Sequence, residues 1–314
     1  ARPATFLLCA GGQIEQIDTM KRSITSIIVL IVALLIPFVP MMLNQTNPKQ
    51  PPVSSDGFLD LSNWSFEKDG IVSLKGTWEF YFNQFLTHED FQRGVDAQPV
   101  SVAIPSTVKS MNASKPFADS TYYGTMRLVI KLPEYPQTYG IRSDIILTSY
   151  KLFINGQLQG EVGKVGTDKQ SSVPYYNIIN TYYHTDDQNM EIIYHTSDFS
   201  AKDNTIASPQ IGLASQISRK VQVGMGRDLF LFGMLLIMGF YHFGLYCMRP
   251  KDRAPLCFGI FCILFSIHML LVGERFLPNY LNLGFHFYGH MAYLCVFIGF
   301  SALCGFIYYT MDNL

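Results

Sequence analysis

Residues 151–166 read KLFINGQLQGEVGKVG, and their spacing decides what kind of fold the middle of this chain adopts. Asn155-Gly156 is a strong short-range signal for a two-residue hairpin turn, because both residues accept the positive φ of a type I′ turn. Around it Leu152, Ile154, Leu158 and Val162 fall on even positions, with polar residues in most of the gaps. That is the period of strands with one buried face, so all four side chains are expected in the core.

Runs of the same kind lie on both sides. They occupy 71–74 after Asp69-Gly70, 76–82 (GTWEFYF), 100–104 before Pro105 and 122–132 (YYGTMRLVIKL) before Pro133. Others fall at 144–148, 150–154, 158–162 and 190–195. Short strands punctuated by Gly, Pro, Asn and Asp predict an all-β sandwich or jelly roll over 57–224. One helix is expected within 85–93 (FLTHEDFQR), with Thr87 as N-cap and Asp90 in its first turn. The polar, proline-bearing stretch 44–56 reads as a linker.

The apolar residues are unevenly spread. Segments 24–43, 229–248, 254–273 and about 288–310 contain no Asp, Glu, Lys or Arg. About 20 apolar residues at ~1.5 Å rise cross a ~30 Å hydrocarbon core, so these segments predict membrane spans. The chain is a multi-domain membrane protein on this reading, an all-β domain followed by a helical membrane region at 225–314. Of its 314 residues 48% are hydrophobic and 15% charged, with a net charge of −1. Nucleic acid is excluded as a partner, since phosphate binding needs a basic excess. None of the six cysteines lies between 44 and 224, which leaves no disulfide framework or cysteine-based zinc site there.

Met20-Lys21-Arg22 precedes the first span and predicts a signal peptide or a signal anchor over 20–43, the lack of a small-x-small cleavage pattern in 39–44 favouring the uncleaved anchor. Residues 1–19 carry no readable pattern and are expected to be an extension of the gene model ahead of Met20. The loop Arg249-Pro250-Lys251-Asp252-Arg253 is basic, whereas in 274–287 Arg275 is offset by Glu274. The positive-inside rule puts the first loop in the cytoplasm and 44–224 outside the cell. Phe276, Tyr280, Phe285, Phe287 and Tyr288 suit an outer aromatic belt.

Candidate ligand-binding residues on the sandwich are Trp78, Tyr122, Tyr123, Arg127, Tyr175 and Tyr176, as rings that stack on a sugar and a cation that orients it. Alternation of Trp78 with Phe80 and Phe82 argues for the core instead. Arg127, inside an apolar strand, argues for a structural ion pair. His286 and His290 share a helix face, but with no Asp, Glu or Cys nearby they are expected to act as interfacial rings and not to hold a metal. His242 and His268 lie inside spans, where polar groups usually mark function. There is no Gly-x-Ser-x-Gly elbow, phosphate loop or His-Glu-x-x-His helix. The carboxylates Glu79, Glu89, Asp90, Glu161 and Glu191 are explained by turn and surface placement. No catalytic residue, cofactor or metal is expected, and the chain reads as a non-enzyme.

GTWEFYFNQFLTHEDF, VAIPST, YYGTMRLVIKLP and SYKLFINGQLQGEVGKVGTD together resemble the extracellular domain of the bacterial seven-transmembrane receptors with diverse intracellular signalling modules. The segment GRDLFLFGMLLIMGFYHFGLYCMRPKDRAPLCFGIFCILFSIHMLLVGERF resembles the start of that family's membrane region, including Tyr241-His242 and the short basic loop. The sandwich is also similar to the galactose-binding-like domains attached to glycosidases. The resemblance implies a receptor input unit that senses a small extracellular ligand, such as a carbohydrate, from the plasma membrane, as a monomer or a homodimer. Family members continue through seven helices to a cytoplasmic kinase, cyclase or phosphatase, so the three helices here imply a truncated receptor. The competing readings are a membrane-anchored carbohydrate-binding module without signalling and a docking subunit of a membrane complex.

Overall fold

The protein is described by a computed structural model over residues 49–107, 121–144, 148–199, 205–281 and 284–312. The expected anchor at 20–43, residues 1–19 and the start of the linker lie outside the described residues. In chain order the first strands are β1 (Phe58–Asp60), β2 (Val72–Ser73), β3 (Gly76–Phe82), β4 (Val100–Ile104), β5 (Ser106–Thr107), β6 (Tyr122–Lys131) and β7 (Gln137–Ser143). They are followed by β8 (Ser149–Ile154), β9 (Gln157–Val162), β10 (Ile179–Thr185), β11 (Asn189–Asp198), β12 (Thr205–Ile206) and β13 (Gln210–Leu213).

The alternating runs of the sequence assemble the larger sheet, ordered β4-β3-β6-β11-β8-β9 and antiparallel throughout this path. β1 joins it in parallel along the end of β6 that β3 leaves free. A second sheet, β10-β7-β13-β2, faces it. Trp78, Phe80, Leu128, Ile130, Leu152 and Ile192 from the first sheet meet Val72, Tyr139, Ile141 and Ile211 from the second in one buried core. The architecture is a β-sandwich. Its small third ribbon pairs β5 with β12.

The turn is as expected, with Asn155 at φ 45° and Gly156 at φ 79°. Leu158 corrects the hairpin reading, because it is 53% exposed. β9 pairs Phe153 with Leu158 but Leu152 with Gly160, so one extra residue shifts the register between them. Past that bulge the phase of β9 is reversed: Leu158 shares the outer face with Phe153, whereas Val162 returns to the core opposite Tyr150. The strand expected at 144–148 falls mostly outside the described residues. Asp144 and Thr148 are not in a strand, residues 145–147 lie outside the described set, and β7 precedes the site instead. The linker ends sooner than 56, since Ser54 is buried and its N–H donates to the Lys75 carbonyl (2.8 Å).

Two short helices, α1 (Phe66–Asp69) and α2 (His88–Arg93), decorate the sandwich. α2 starts as the sequence predicts: Thr87 Oγ1 accepts the Asp90 N–H, and the Asp90 carboxylate accepts the Thr87 N–H at 2.9 Å. Four helices follow: α3 (Ala214–Met248), α4 (Ala254–Val272), α5 (Phe276–Tyr280) and α6 (Phe285–Asp312). Among them α3, α4 and α6 are long and apolar enough to cross a membrane. α3, at 35 residues, is about 50 Å long, well beyond a bilayer core, so it begins earlier than the expected span at 229.

Those extra turns dock on the sandwich. β13 runs directly into α3, whose Gln216 accepts the Leu213 N–H (3.0 Å) and donates to the Phe66 carbonyl (2.6 Å). Ile217, fully buried, packs on Gly140 of β7, where an added Cβ would meet the Ile217 side chain at 2.7 Å. The turn between α4 and α5 is clasped from both sides. Arg142 of β7 donates to Glu274 (2.8 Å), and the Glu274 N–H donates to buried Asp228 of α3 (2.7 Å). Tyr175 donates to the Pro278 carbonyl (3.0 Å). The segment 274–281 therefore lies at the sandwich end of the helices, and the basic turn after Met248 at the opposite end.

Candidate functional site

The outer face of the larger sheet carries a polar cluster on its central strands. Glu79 on β3 lies directly across from Arg127 on β6, and Glu191 on β11 lies one diagonal step away. Arg127 donates through Nη1 to Glu79 (3.0 Å) and through Nε to Glu191 (2.6 Å). Its guanidinium sits 4.3 Å from the centre of the Phe91 ring on α2. The second Glu191 oxygen takes a short contact from His88 Nδ1, and His88 Nε2 lies 2.8 Å from the Gln92 amide nitrogen. A carboxylate only accepts, so Nδ1 carries the proton and Nε2 accepts from Gln92. Tyr81 closes the chain by donating to Glu79 (3.2 Å); burial and then the Glu79 charge push its hydroxyl up to about 12.

This network forms one wall of a cavity of about 620 Å³, whose rim adds Asn155, Tyr183, Gln188 and Asn189. The hairpin turn belongs to the wall. Asn155 Oδ1 accepts the Glu191 N–H (2.7 Å), and the Asn155 N–H donates to the Glu191 carbonyl (3.0 Å). Amide, hydroxyl, imidazole and guanidinium groups around a concave surface suit a small polar ligand. Both carboxylates are committed to Arg127, so the cluster is arranged to bind and orient.

Of the six candidates on the sandwich, only Arg127 lines this cavity. Trp78 (0% exposed) and Tyr122 (3%) are core residues and offer no face to a ligand, which corrects their candidacy. Both point inward because they take the core parity of their strands, and Trp78 spends its N–H on the Leu74 carbonyl (3.2 Å). Tyr123 packs on Phe85 (5.2 Å). Tyr175 and Tyr176 lie at the membrane junction, where Tyr176 stacks on Phe285 of α6 (4.6 Å, 23°). Of the belt residues, Tyr280 and Phe287 are exposed, while Tyr288 is buried and donates to the Leu271 carbonyl (2.7 Å).

His242 and His268 do not meet. His242 packs on Phe258, ten residues or ~15 Å up α4 from His268. His286 and His290 stack at 6.4 Å on one face of α6. Sequence reasoning missed Glu191 and His88. The signal for Glu191 was present: an acid set among apolar residues of one strand and a base, Arg127, set among apolar residues of another, where surface placement was expected and Glu191 is instead buried.

No curated protein sequence matches the chain. Among solved structures, a GH2 beta-galacturonidase from Eisenbergiella tayi bound to galacturonate is similar over 45% of this chain and 24% of its own, at 6% identity and TM-score 0.30. A Ruminococcus gnavus beta-glucuronidase is similar over 45% and 28%, at 14% identity and TM-score 0.31. An uncultured Clostridium sp. beta-glucuronidase is similar over 46% and 29%, at 10% identity and TM-score 0.32. The chain thus spans less than a third of the length of these enzymes. Residues 226–313 match the family described as 7TM diverse intracellular signalling. The turn clasped by Arg142, α4, α6 and most of α3 lie within that match, so the helical part of this membrane protein is similar to that family.

Proposed function

We propose that the chain is the input portion of a bacterial transmembrane receptor. The sandwich lies outside the cell, binds a small polar ligand of the carbohydrate class in the cavity beside Arg127, and biases the arrangement of the membrane helices. The observation that carries this reading is the mechanical continuity of sandwich and helices. β13 becomes α3 without a linker, and Arg142 of β7 grips Glu274 at the end of α4. A ligand shifts such a system only by binding one arrangement more tightly than another, and a stiff connection lets that difference reach the bilayer. The family match of the helices and the basic turn at their far end support the same orientation. A non-enzymatic role fits the commitment of Glu79 and Glu191 to Arg127.

The test is a glycan and monosaccharide binding screen on the full chain in detergent micelles, followed by hydrogen exchange with and without the best ligand. The expected result is binding weakened at least tenfold by Arg127→Gln, with altered exchange at 273–281. Binding that leaves 273–281 unchanged sinks the relay and favours an anchored binding module. Complete lack of sugar binding, with a protein captured stably on the sandwich, favours a docking subunit.

A further inference from the structure

A second cavity, of about 520 Å³, opens where the sandwich meets α4 and α6. Its charge is Arg275. This side chain is only 5% exposed, and its Nε and Nη1 are buried with no hydrogen-bond acceptor among the described residues. The guanidinium lies 5.3 Å from the centre of the Tyr176 ring, which holds one side of it. The adjacent carboxylate does not neutralise it, because Glu274 turns the other way to Arg142. His268 Nδ1, on the same cavity, is likewise buried and unpartnered. The backbone holds Arg275 at φ 55°, a left-handed conformation uncommon for a residue with a side chain.

Burying a guanidinium with unmade hydrogen bonds is unfavourable, and such groups persist where a partner completes them. The complement of a planar guanidinium fork is an oxyanion that takes two parallel N–H bonds. His286 and His290 add two imidazoles to the wall, and the rest of it is apolar or aromatic, including Val272, Phe285, Tyr293 and Val296. We infer that this junctional cavity is a binding site for the oxyanion of an amphiphile, a phosphate with an apolar tail, seated on Arg275 and Tyr176. The position at the outer end of the spans lets the tail lie beside α6 while the head meets Arg275. Such a ligand would sit under the same turn that Arg142 clasps, so it reaches the relay independently of what the sandwich cavity binds.

The head can be supplied by a lipid of the bilayer or by a free phosphate compound, and the test separates them. The full chain in dodecyl maltoside, which has no phosphate, is titrated with dodecyl phosphate, bound ligand being counted by native mass spectrometry. Inorganic phosphate is then added as competitor. The expected result is saturable binding of one dodecyl phosphate, weakened at least tenfold by Arg275→Gln and unaffected by Arg253→Gln on the opposite turn. Gly289→Leu supplies a second variant. Gly289 lines the cavity and an added Cβ there meets nothing within 4 Å, so the helix keeps its form while the larger side chain occupies the site. Competition by inorganic phosphate at similar concentration identifies a free anion as the occupant; failure to compete identifies a lipid phosphate. The inference is overturned if no saturable binding of dodecyl phosphate is found, or if Arg275→Gln binds as the parent does. Should that variant not fold, unchanged binding by Gly289→Leu overturns it alone.

Discussion

A single imidazole on the outer sheet face gives the sandwich a pH dependence whose sign is fixed by its surroundings. His195 lies between Phe85 and Phe153, with ring centres at 5.2 and 4.8 Å, and Nε2 donates to the Leu86 carbonyl (2.8 Å). Burial holds its pKa below the ordinary value of 6.5, the bond to Leu86 opposing the shift and the charge of Lys151 adding to it. Between the folded and unfolded pKa values the unfolded chain binds the extra proton, so stability is complete above about 6.5 and falls as pH drops through that window. Denaturant melts of the parent between pH 7.5 and 5 should show this loss, and His195→Gln should flatten part of the slope. An equal slope in the variant would mean that His195 is not the group responsible. Arg127 teaches a related lesson. Its structural pairing was legible from its place in an apolar strand, but Glu79 and Glu191 as its partners, with His88 on the second Glu191 oxygen, required the pairing of three strands with α2.

The elements differ in how clearly they announce themselves. Nearly every strand of the larger sheet is visible as alternation, since one face is core and the other meets water or α2. Of the second sheet, β7, β10 and β13 were not. QTYGIRS, INTYYHT and QIGL are short or polar, and the first and last carry glycine where a neighbouring element approaches, as Gly140 does beneath Ile217. The helix α2 was legible because capping chemistry is local. The bulge in β9 was not, because a one-residue register shift is settled by the partner strand. It makes a sharp prediction: Leu158→Thr should change stability by no more than about 0.5 kcal/mol, as at an ordinary surface site. Val162→Thr, which places a hydroxyl in the core, should cost about 1–3 kcal/mol. Chemical denaturation of both variants checks it, and equal losses would contradict the bulged register.

At the scale of the whole molecule, the sandwich and the helices are held by a few polar contacts over a small apolar seat. Arg142 and Glu274 are both largely buried and bonded at 2.8 Å, so their coupling should be measurable. A double-mutant cycle with Arg142→Met and Glu274→Gln should give an interaction of about 0.5–3 kcal/mol. Either single variant should speed hydrogen exchange at 273–281. Strict additivity with unchanged exchange would show that the clasp does not join the two parts. By itself the sequence determined the existence of both parts, the three spans, the Asn-Gly turn and the cap of α2, because each follows from periodicity or from bonds between residues close along the chain. Only the tertiary structure decided the opposed sheet, the phase of β9, the partners of Arg127 and the burial of Arg275 beside Tyr176. Those depend on residues tens to hundreds of positions apart meeting in space, and no local pattern records which of them will meet.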